Sequence, residues 1–258
     1  MNKLKAVIMD GDGSTITLDN KLPPSLQKLM EDNSQIKWIM ATGRSLDLLK
    51  KTPIAPFLSK DVPHILDGGS RLMYIDGKSS VDYFISKTTL EYLYKILDLK
   101  AVNFIYYSPD GINGCCFSRD EKTVAGSKFH GKGVNFTSQI EEFKEWTYTK
   151  LPTKLLINVN YKIELLNIYH HINEGNIDVT AHEVDKGTAC VELLDKLGLA
   201  PNEVAFVFND KNDLPIVNHP KLTDIVTIKV GDQLPGVVSR YQVDTPYNVS
   251  MILAGLIN

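Results

Sequence analysis

The chain has 258 residues, 43% of them apolar and 23% charged, with 17 Gly and 12 Pro. That composition excludes a disordered, collagen-like or low-complexity protein and supplies enough apolar residues for a sizeable core in one or two domains. Lys and Arg total 28 against 31 Asp and Glu, a net charge of −3, so no basic excess draws the chain to nucleic acid and any anion must be held by local groups.

Three cysteines, with Cys115 and Cys116 adjacent, make no disulfide framework and suit a reducing compartment. Met1-Asn2-Lys3-Leu4-Lys5 leads into an apolar run too short for a signal peptide. No stretch approaches the ~20 apolar residues of a membrane span. The expectation is a soluble cytoplasmic α/β protein.

Leu4–Met9 has the pattern of a buried strand, ending at acidic and glycine residues. Pro23 and Pro24 open a helix over Ser25–Glu31. A second strand, Ile36–Ala41, ends at Thr42-Gly43-Arg44, and helical spacing resumes over Ser45–Lys51. His64–Leu66 is followed by Asp67-Gly68-Gly69 and a hairpin, Arg71–Ile75, turning at Asp76-Gly77.

The middle of the chain changes character. A helix over Thr88–Leu99 precedes two strands, Val102–Tyr107 and Ile112–Phe117, which turn at Pro109-Asp110-Gly111. A polar, glycine-containing stretch from Thr123 to Gly133 follows, then a helix over Gln139–Trp146. A strand (Lys154–Val159), an amphipathic helix (Ile163–Asn173) and a strand (Ile177–Ala181) complete this section.

Alternation then resumes: helix Thr188–Leu197, strand Val204–Phe208, helix Asp213–His219, strand Ile225–Val230 and a helix near Val249–Leu256. Strand–helix–strand repetition implies parallel strands joined by right-handed crossovers. The predicted architecture is a doubly wound parallel-sheet core, residues 1–82 and 186–258, split by an α+β insert, residues 83–185.

Four short segments carry the candidate chemistry. In a parallel sheet, ligands bind beyond the carboxyl ends of the strands, where Asp10 and Asp12 of Asp10-Gly11-Asp12-Gly13-Ser14 fall. One carboxylate there can attack as a nucleophile while the other moves a proton. Two anions facing a phosphate dianion call for a hard divalent cation such as Mg²⁺. The competing reading is an Asp-Gly turn that caps the next element.

Thr42 and Gly43 offer a hydroxyl and backbone N–H groups to a phosphoryl oxygen, or simply an N-cap and a turn. Lys186 of Lys186-Gly187-Thr188 can neutralise that oxygen, or lie exposed at a helix start. Asn209-Asp210-Lys211-Asn212-Asp213 supplies oxygen ligands of the kind Mg²⁺ prefers, or a polar loop capped by Asp213. Each segment follows an apolar strand or opens a helix, so a doubly wound fold would converge them on one crevice.

This ordered set resembles the haloacid dehalogenase-like phosphohydrolases, in particular the Cof-like branch with a large C2-type cap inserted in the core. Asp10-Gly11-Asp12-Gly13-Ser14 is similar to the family's Asp-x-Asp-Gly-Thr motif, with serine for threonine. Thr42-Gly43-Arg44 and Lys186-Gly187 resemble its second and third motifs, and Asn212-Asp213-Leu214-Pro215 the end of its fourth.

The resemblance implies a Mg²⁺-dependent phosphatase acting on a small phosphorylated metabolite of the sugar-phosphate class. It makes Asp10 the nucleophile that becomes an aspartyl-phosphate and Asp12 the general acid/base. Thr42, Gly43, Lys186 and Asn212 would hold the phosphoryl group, and the insert would close as a lid. Asp10, the Asp12 backbone carbonyl and Asp213 would hold the metal. A sugar phosphomutase with the same intermediate, or a non-catalytic binding protein, are the alternatives.

The chain departs from the family at one point. An ungapped match to Gly-Asp-x-x-Asn-Asp puts Phe208 and Asn209 where Gly and Asp are expected. Either Asn209 replaces a metal carboxylate with a neutral amide, or the loop slips and Asp210 supplies the charge.

Other features carry less. Gly126–Gly133 resembles a phosphate-binding loop but lacks its final Ser or Thr. His170 and His171, adjacent on an expected helix, point about 100° apart and cannot share a metal.

Overall fold

The computed structural model describes residues 3–257 apart from 128, 162, 164 and 174. Met1 and Asn2 of the N-terminal run and Lys128 of the glycine-rich stretch lie outside the described residues. The chain forms two units: Met1–Arg44, Leu49–Val81 and Asp185–Asn258 make the first, and Ser45–Leu48 with Asp82–Val184 the second.

The first unit is built on five parallel strands in the order Tyr241–Val243, Val226–Val230, Val204–Phe208, Ala6–Met9, Lys37–Met40. Every residue of Ala6–Met9 and Val204–Phe208 is buried, because helices cover both faces of a parallel sheet and leave no polar side. Met9 pairs with Val207 on one side and Met40 on the other. The three strands therefore end level, and their next residues, Asp10, Ala41-Thr42 and Phe208-Asn209, emerge together at the carboxyl edge.

The helix Lys186–Leu197 packs Ala189, Cys190, Leu193 and Leu194 against Ile8, Ile39, Phe206 and Phe208. Its start is fixed by Asp185, whose carboxylate accepts from the Gly187 and Thr188 N–H groups at 2.8 and 2.9 Å. Thr188 Oγ1 accepts from the Asp185 N–H in return, a reciprocal cap that satisfies the unpaired donors of a helix start. Lys186 thus becomes the first helical residue.

A separate small sheet, His64–Leu66, Arg71–Met73 and Ser79–Asp82, touches the end of the second central strand through the Ala41–Ile65 bridge. The helix predicted over Asp213–His219 is broken: a 3-10 turn, Lys211–Asp213, leads into Leu214–Val217. Pro215 in its first turn explains the restart.

The second unit is a six-stranded mixed sheet in the order His170–Asn173, Asn176–Thr180, Lys154–Val159, Val102–Tyr107, Gly114–Phe117, Val134–Thr137. Helices Lys87–Ile96 and Ile140–Thr149 cover one face, where Leu90, Leu93 and Phe143 meet Ile105, Tyr107, Leu155 and Ile157. Cys115 packs into this face and Cys116 into the opposite one, beside Tyr106 and Phe129. Phe129 anchors the glycine-rich stretch by stacking near Phe104 and Tyr106, at 5.1 and 5.0 Å.

Among the described residues of Ile163–Asn173, the predicted helix does not form. Its described part ends in the strand His170–Asn173, which pairs antiparallel with Asn176–Thr180. Asn167 sits at φ 63°, a conformation that interrupts a helix, and Leu165 and Ile168 are buried in the helix-covered core instead. His170 and His171 consequently lie on opposite faces of a strand.

His64 lies wholly buried beside the central sheet, where its Nδ1 accepts from the Met40 N–H at 3.1 Å. The proton therefore resides on Nε2, which faces the Ser59 carbonyl at 3.0 Å. Burial, only partly opposed by the Ser59 bond, lowers its pKa from 6.5 to about 4. The unfolded chain takes up a proton below 6.5 that the folded chain refuses, so this contribution to stability is lost as pH falls towards 4. Over that window it amounts to about 3 kcal/mol at most. Urea unfolding at pH 7 and pH 4.5 is expected to show His64→Gln losing less stability on acidification than the parent. Equal losses would contradict the assignment.

Candidate active site

The chemistry gathers at the carboxyl edge of the central sheet in the first unit. Asp10 follows the first strand directly, its N–H donating to the Val207 carbonyl at 2.9 Å. The loop after it closes on itself: the Ser14, Thr15 and Ile16 N–H groups all bond the Gly11 carbonyl. Thr15 Oγ1 then donates to the Asp10 carbonyl at 2.7 Å. These bonds leave the Asp10 carboxylate and the Asp12 carbonyl for partners from elsewhere.

Lys186 is the first such partner. Its ammonium, 1% exposed, donates to Asp10 Oδ1 at 2.9 Å, Asn212 Oδ1 at 3.0 Å and Asp213 Oδ1 at 2.7 Å. All three of its N–H bonds are thereby used. Asp213 is fully buried and its other oxygen accepts from the Asn209 and Asp210 N–H groups at 3.3 and 3.2 Å. Burial opposes the Lys186 charge, yet Asp10 and Asp213 outweigh it and hold its pKa above the ordinary lysine value. Burial and the Asp10 charge push Asp213 up, against the pull of Lys186.

Asp12 faces a different cation. Arg44 Nε donates to Asp12 Oδ2 at 3.0 Å and Arg44 Nη2 to Oδ1 at 2.7 Å, a two-pronged pairing that fixes the carboxylate plane. The Asp12 side chain is half exposed, with Arg44 largely covered. Arg44, which closes the Thr42-Gly43-Arg44 segment, is a site residue that the sequence pattern does not single out: its cation balances the Asp12 carboxylate. Thr42 is buried, its N–H bonded to the Ile65 carbonyl at 2.9 Å and its Oγ1 accepting from the Arg44 N–H at 3.1 Å. Gly43, partly exposed, lies between them.

Asn209 brings its side chain into the site, whereas Asp210 contributes only backbone, donating its N–H to Asp213. Asn209, 8% exposed, accepts from the Ser14 hydroxyl through Oδ1 at 3.0 Å and donates from Nδ2 to the Asp12 carbonyl at 3.2 Å. Because a carbonyl only accepts, the amide nitrogen must face Asp12. Gly13 makes the approach possible: it sits at φ 79°, and a Cβ there would lie 2.3 Å from Asn209 Nδ2. Asp210 turns its carboxylate onto the Lys211 N–H at 2.6 Å, capping the 3-10 turn. The slipped-loop alternative for the metal shell therefore lacks support in the geometry.

The donors around Asp10 suit a hard cation. Two carboxylates, a backbone carbonyl and an amide oxygen are the oxygen ligands Mg²⁺ prefers. Among the described residues, however, no three His, Cys, Asp or Glu side chains cluster as a metal site. Asn209 accounts for the missing third acid. The residues fit a divalent cation held with less charge than three carboxylates would give.

Residues 7–223 match the haloacid dehalogenase-like hydrolases. None of the curated proteins compared with the chain matches it. Among solved structures, the phosphatase BT1666 from Bacteroides thetaiotaomicron is similar, with a TM-score of 0.76 at 17% identity over 98% of this chain and 95% of that one. The subclass IIB sugar phosphatase BT4131 has a TM-score of 0.74 at 16% identity, covering 98% of this chain and all of the other. A HAD/COF-like hydrolase structure from Plasmodium vivax gives 0.73 at 14% identity, over 99% and 94%. At such identities the likeness speaks for the fold. With the family match spanning most of its length, the chain belongs to the haloacid dehalogenase-like hydrolases.

Proposed function

We propose that the chain is a Mg²⁺-dependent phosphatase that hydrolyses a small phosphorylated metabolite, of the sugar-phosphate class, through an aspartyl-phosphate on Asp10. The observation that carries this reading is the Lys186 ammonium bonded at once to Asp10 and Asp213, at the sheet edge where Thr42 also emerges. Lys186 holds one Asp10 oxygen and leaves the other to attack phosphorus. The P–O bond to the leaving group breaks as Asp12 gives its proton to the departing oxygen. Asp12, now a carboxylate, takes a proton from water, which attacks the phosphorus and releases phosphate and Asp10.

In the resting site Arg44 pairs with both oxygens of the Asp12 carboxylate, and one of these bonds must open for Asp12 to carry the proton it gives to the leaving oxygen. Thr42, Gly43 and Asn212 bind the phosphoryl oxygens, and Lys186 reaches them by exchanging its bond to Asn212. Asp10, the Asp12 carbonyl, Asp213 and Asn209 would hold Mg²⁺, which when bound supplies positive charge to the phosphoryl oxygens. BT4131, described as a sugar phosphatase, supports the substrate class by fold. In this reading residues 83–185 are an α+β insert in a core of residues 1–82 and 186–258.

A cytoplasmic location suits the three cysteines, all buried free thiols. No helix among the described residues is long and apolar enough to cross a membrane.

Phosphate release from a panel of phosphorylated metabolites, with and without Mg²⁺, tests the reading. Asp10→Asn is expected to lose activity on the order of a thousandfold or more, and activity retained by that variant would remove the nucleophile. A second reading, a non-catalytic binding protein, draws on the Asn209 amide alone, and Mg²⁺-dependent turnover would exclude it.

Asn209→Asp restores a carboxylate to the metal shell. The Mg²⁺ concentration for half-maximal activity is expected to fall by about tenfold. Added Mg²⁺ should likewise raise the melting temperature of the variant more than that of the parent. An unchanged Mg²⁺ requirement would mean that position 209 does not touch the cation.

A further inference from the structure

We propose that Asp67, Gly69 and Arg71 are positioning residues: they form a left-handed hook that holds the Thr42 loop and Lys186 in place around Asp10. The hook is outside the four segments that carry the chemistry. It deepens the phosphatase reading and rests on it for the role assigned to Lys186.

Three successive residues have positive φ: Asp67 at 52°, Gly68 at 73° and Gly69 at 107°. Asp67 is the costly one, since an L side chain in this region meets its own backbone. Such strain persists only where the surroundings over-determine it, and it concentrates at functional sites.

The surroundings here are the site itself. The Asp67 N–H donates to the Arg44 carbonyl at 3.0 Å and the Gly68 N–H to the Thr42 carbonyl at 3.1 Å. The hook thus grips both ends of Thr42-Gly43-Arg44 by its backbone, while the Thr42 N–H is tied to Ile65 just before it. On its other side Gly69 lies against the start of the Lys186 helix. A Cβ on Gly69 would fall 2.1 Å from the Asp185 carbonyl oxygen and 2.7 Å from the Lys186 nitrogen. Only a residue without a side chain lets the helix start come this near.

Asp67 is anchored from below. Its carboxylate faces Arg71 at 3.6 Å, with both side chains almost wholly buried. Arg71 opens the strand that pairs with His64–Leu66, so the small sheet supports the hook at both ends. One rigid turn therefore sets the distance between the hydroxyl-bearing loop and the lysine.

Three variants of the full chain test this: Gly69→Val, Asp67→Val and Asp67→Asn. Two readouts are taken on folded protein, phosphate release and acetylation of Lys186 by acetic anhydride, followed by mass spectrometry. In the parent, buried Lys186 should resist acetylation. Gly69→Val and Asp67→Val are expected to lower kcat by about a hundredfold, the usual consequence of displacing catalytic groups by about 1 Å, and to expose Lys186 to the reagent. Asp67→Asn should stay within a few-fold of the parent in both, because Asn tolerates positive φ.

The two Asp67 variants lose the same charge facing Arg71, and they differ in the two things the hook needs: tolerance of positive φ and an oxygen that can face Arg71. Should Gly69→Val not fold, that pair decides alone, and equal behaviour of Asn and Val would overturn the proposal. So would a folded Gly69→Val with Lys186 shielded and kcat unchanged. A parent that releases no phosphate would sink the phosphatase reading, while Lys186 acetylation would still judge the hook.

Discussion

One ammonium group organises the carboxyl edge of the central sheet. Asp10 and Asp213 lie within the same buried cluster, and two carboxylates so placed repel each other in a medium that screens poorly. Lys186 resolves the conflict by donating to both, and its third N–H reaches Asn212. Removing one partner from such a cluster strands charge in the interior, which costs far more than the same pair does at a surface. The level ends of the central strands, the capped start of the Lys186 helix and the glycine hook all serve to bring that ammonium to that place.

Electrostatics also sets what the site can do for a phosphate dianion. On the proposed phosphatase reading, two acids against one lysine leave the cluster short of positive charge, so an anionic substrate would need a further cation. Where a third carboxylate would strengthen the hold on that cation, the chain has Asn209, whose amide nitrogen already satisfies the Asp12 carbonyl. The substitution trades Coulomb attraction for a neutral hydrogen bond that braces the Asp12 loop. Arg44 performs the parallel task for the Asp12 side chain, which stands apart from the buried cluster and keeps contact with solvent.

Much of this was readable from the residues alone, for a physical reason. Parallel strands buried on both faces are runs of apolar residues, so Ala6–Met9, Lys37–Met40 and Val204–Phe208 stood out, and polar residues at their ends marked the crevice. What escaped depended on partners distant in the chain. Tyr241–Val243 and Val134–Thr137 are short edge strands whose identity comes from their neighbours. The segment ending in His170–Asn173 has helical spacing, but pairing with Asn176–Thr180 overrides it. Arg44 and Asp67 were visible as residues but not as parts of the site, because their roles lie in a two-pronged bond and a backbone twist that no local pattern encodes.

The most direct test of the central role of Lys186 is the stability of Lys186→Met, measured by denaturant unfolding from pH 7 down to pH 5. At pH 7 the variant should be weaker than the parent by roughly 3–5 kcal/mol, the cost of leaving buried carboxylates without their cation. Without the ammonium that pulls it down, the folded-state pKa of Asp213 rises further, so the deficit should shrink as acid protonates it. A variant as stable as the parent at every pH would contradict the account.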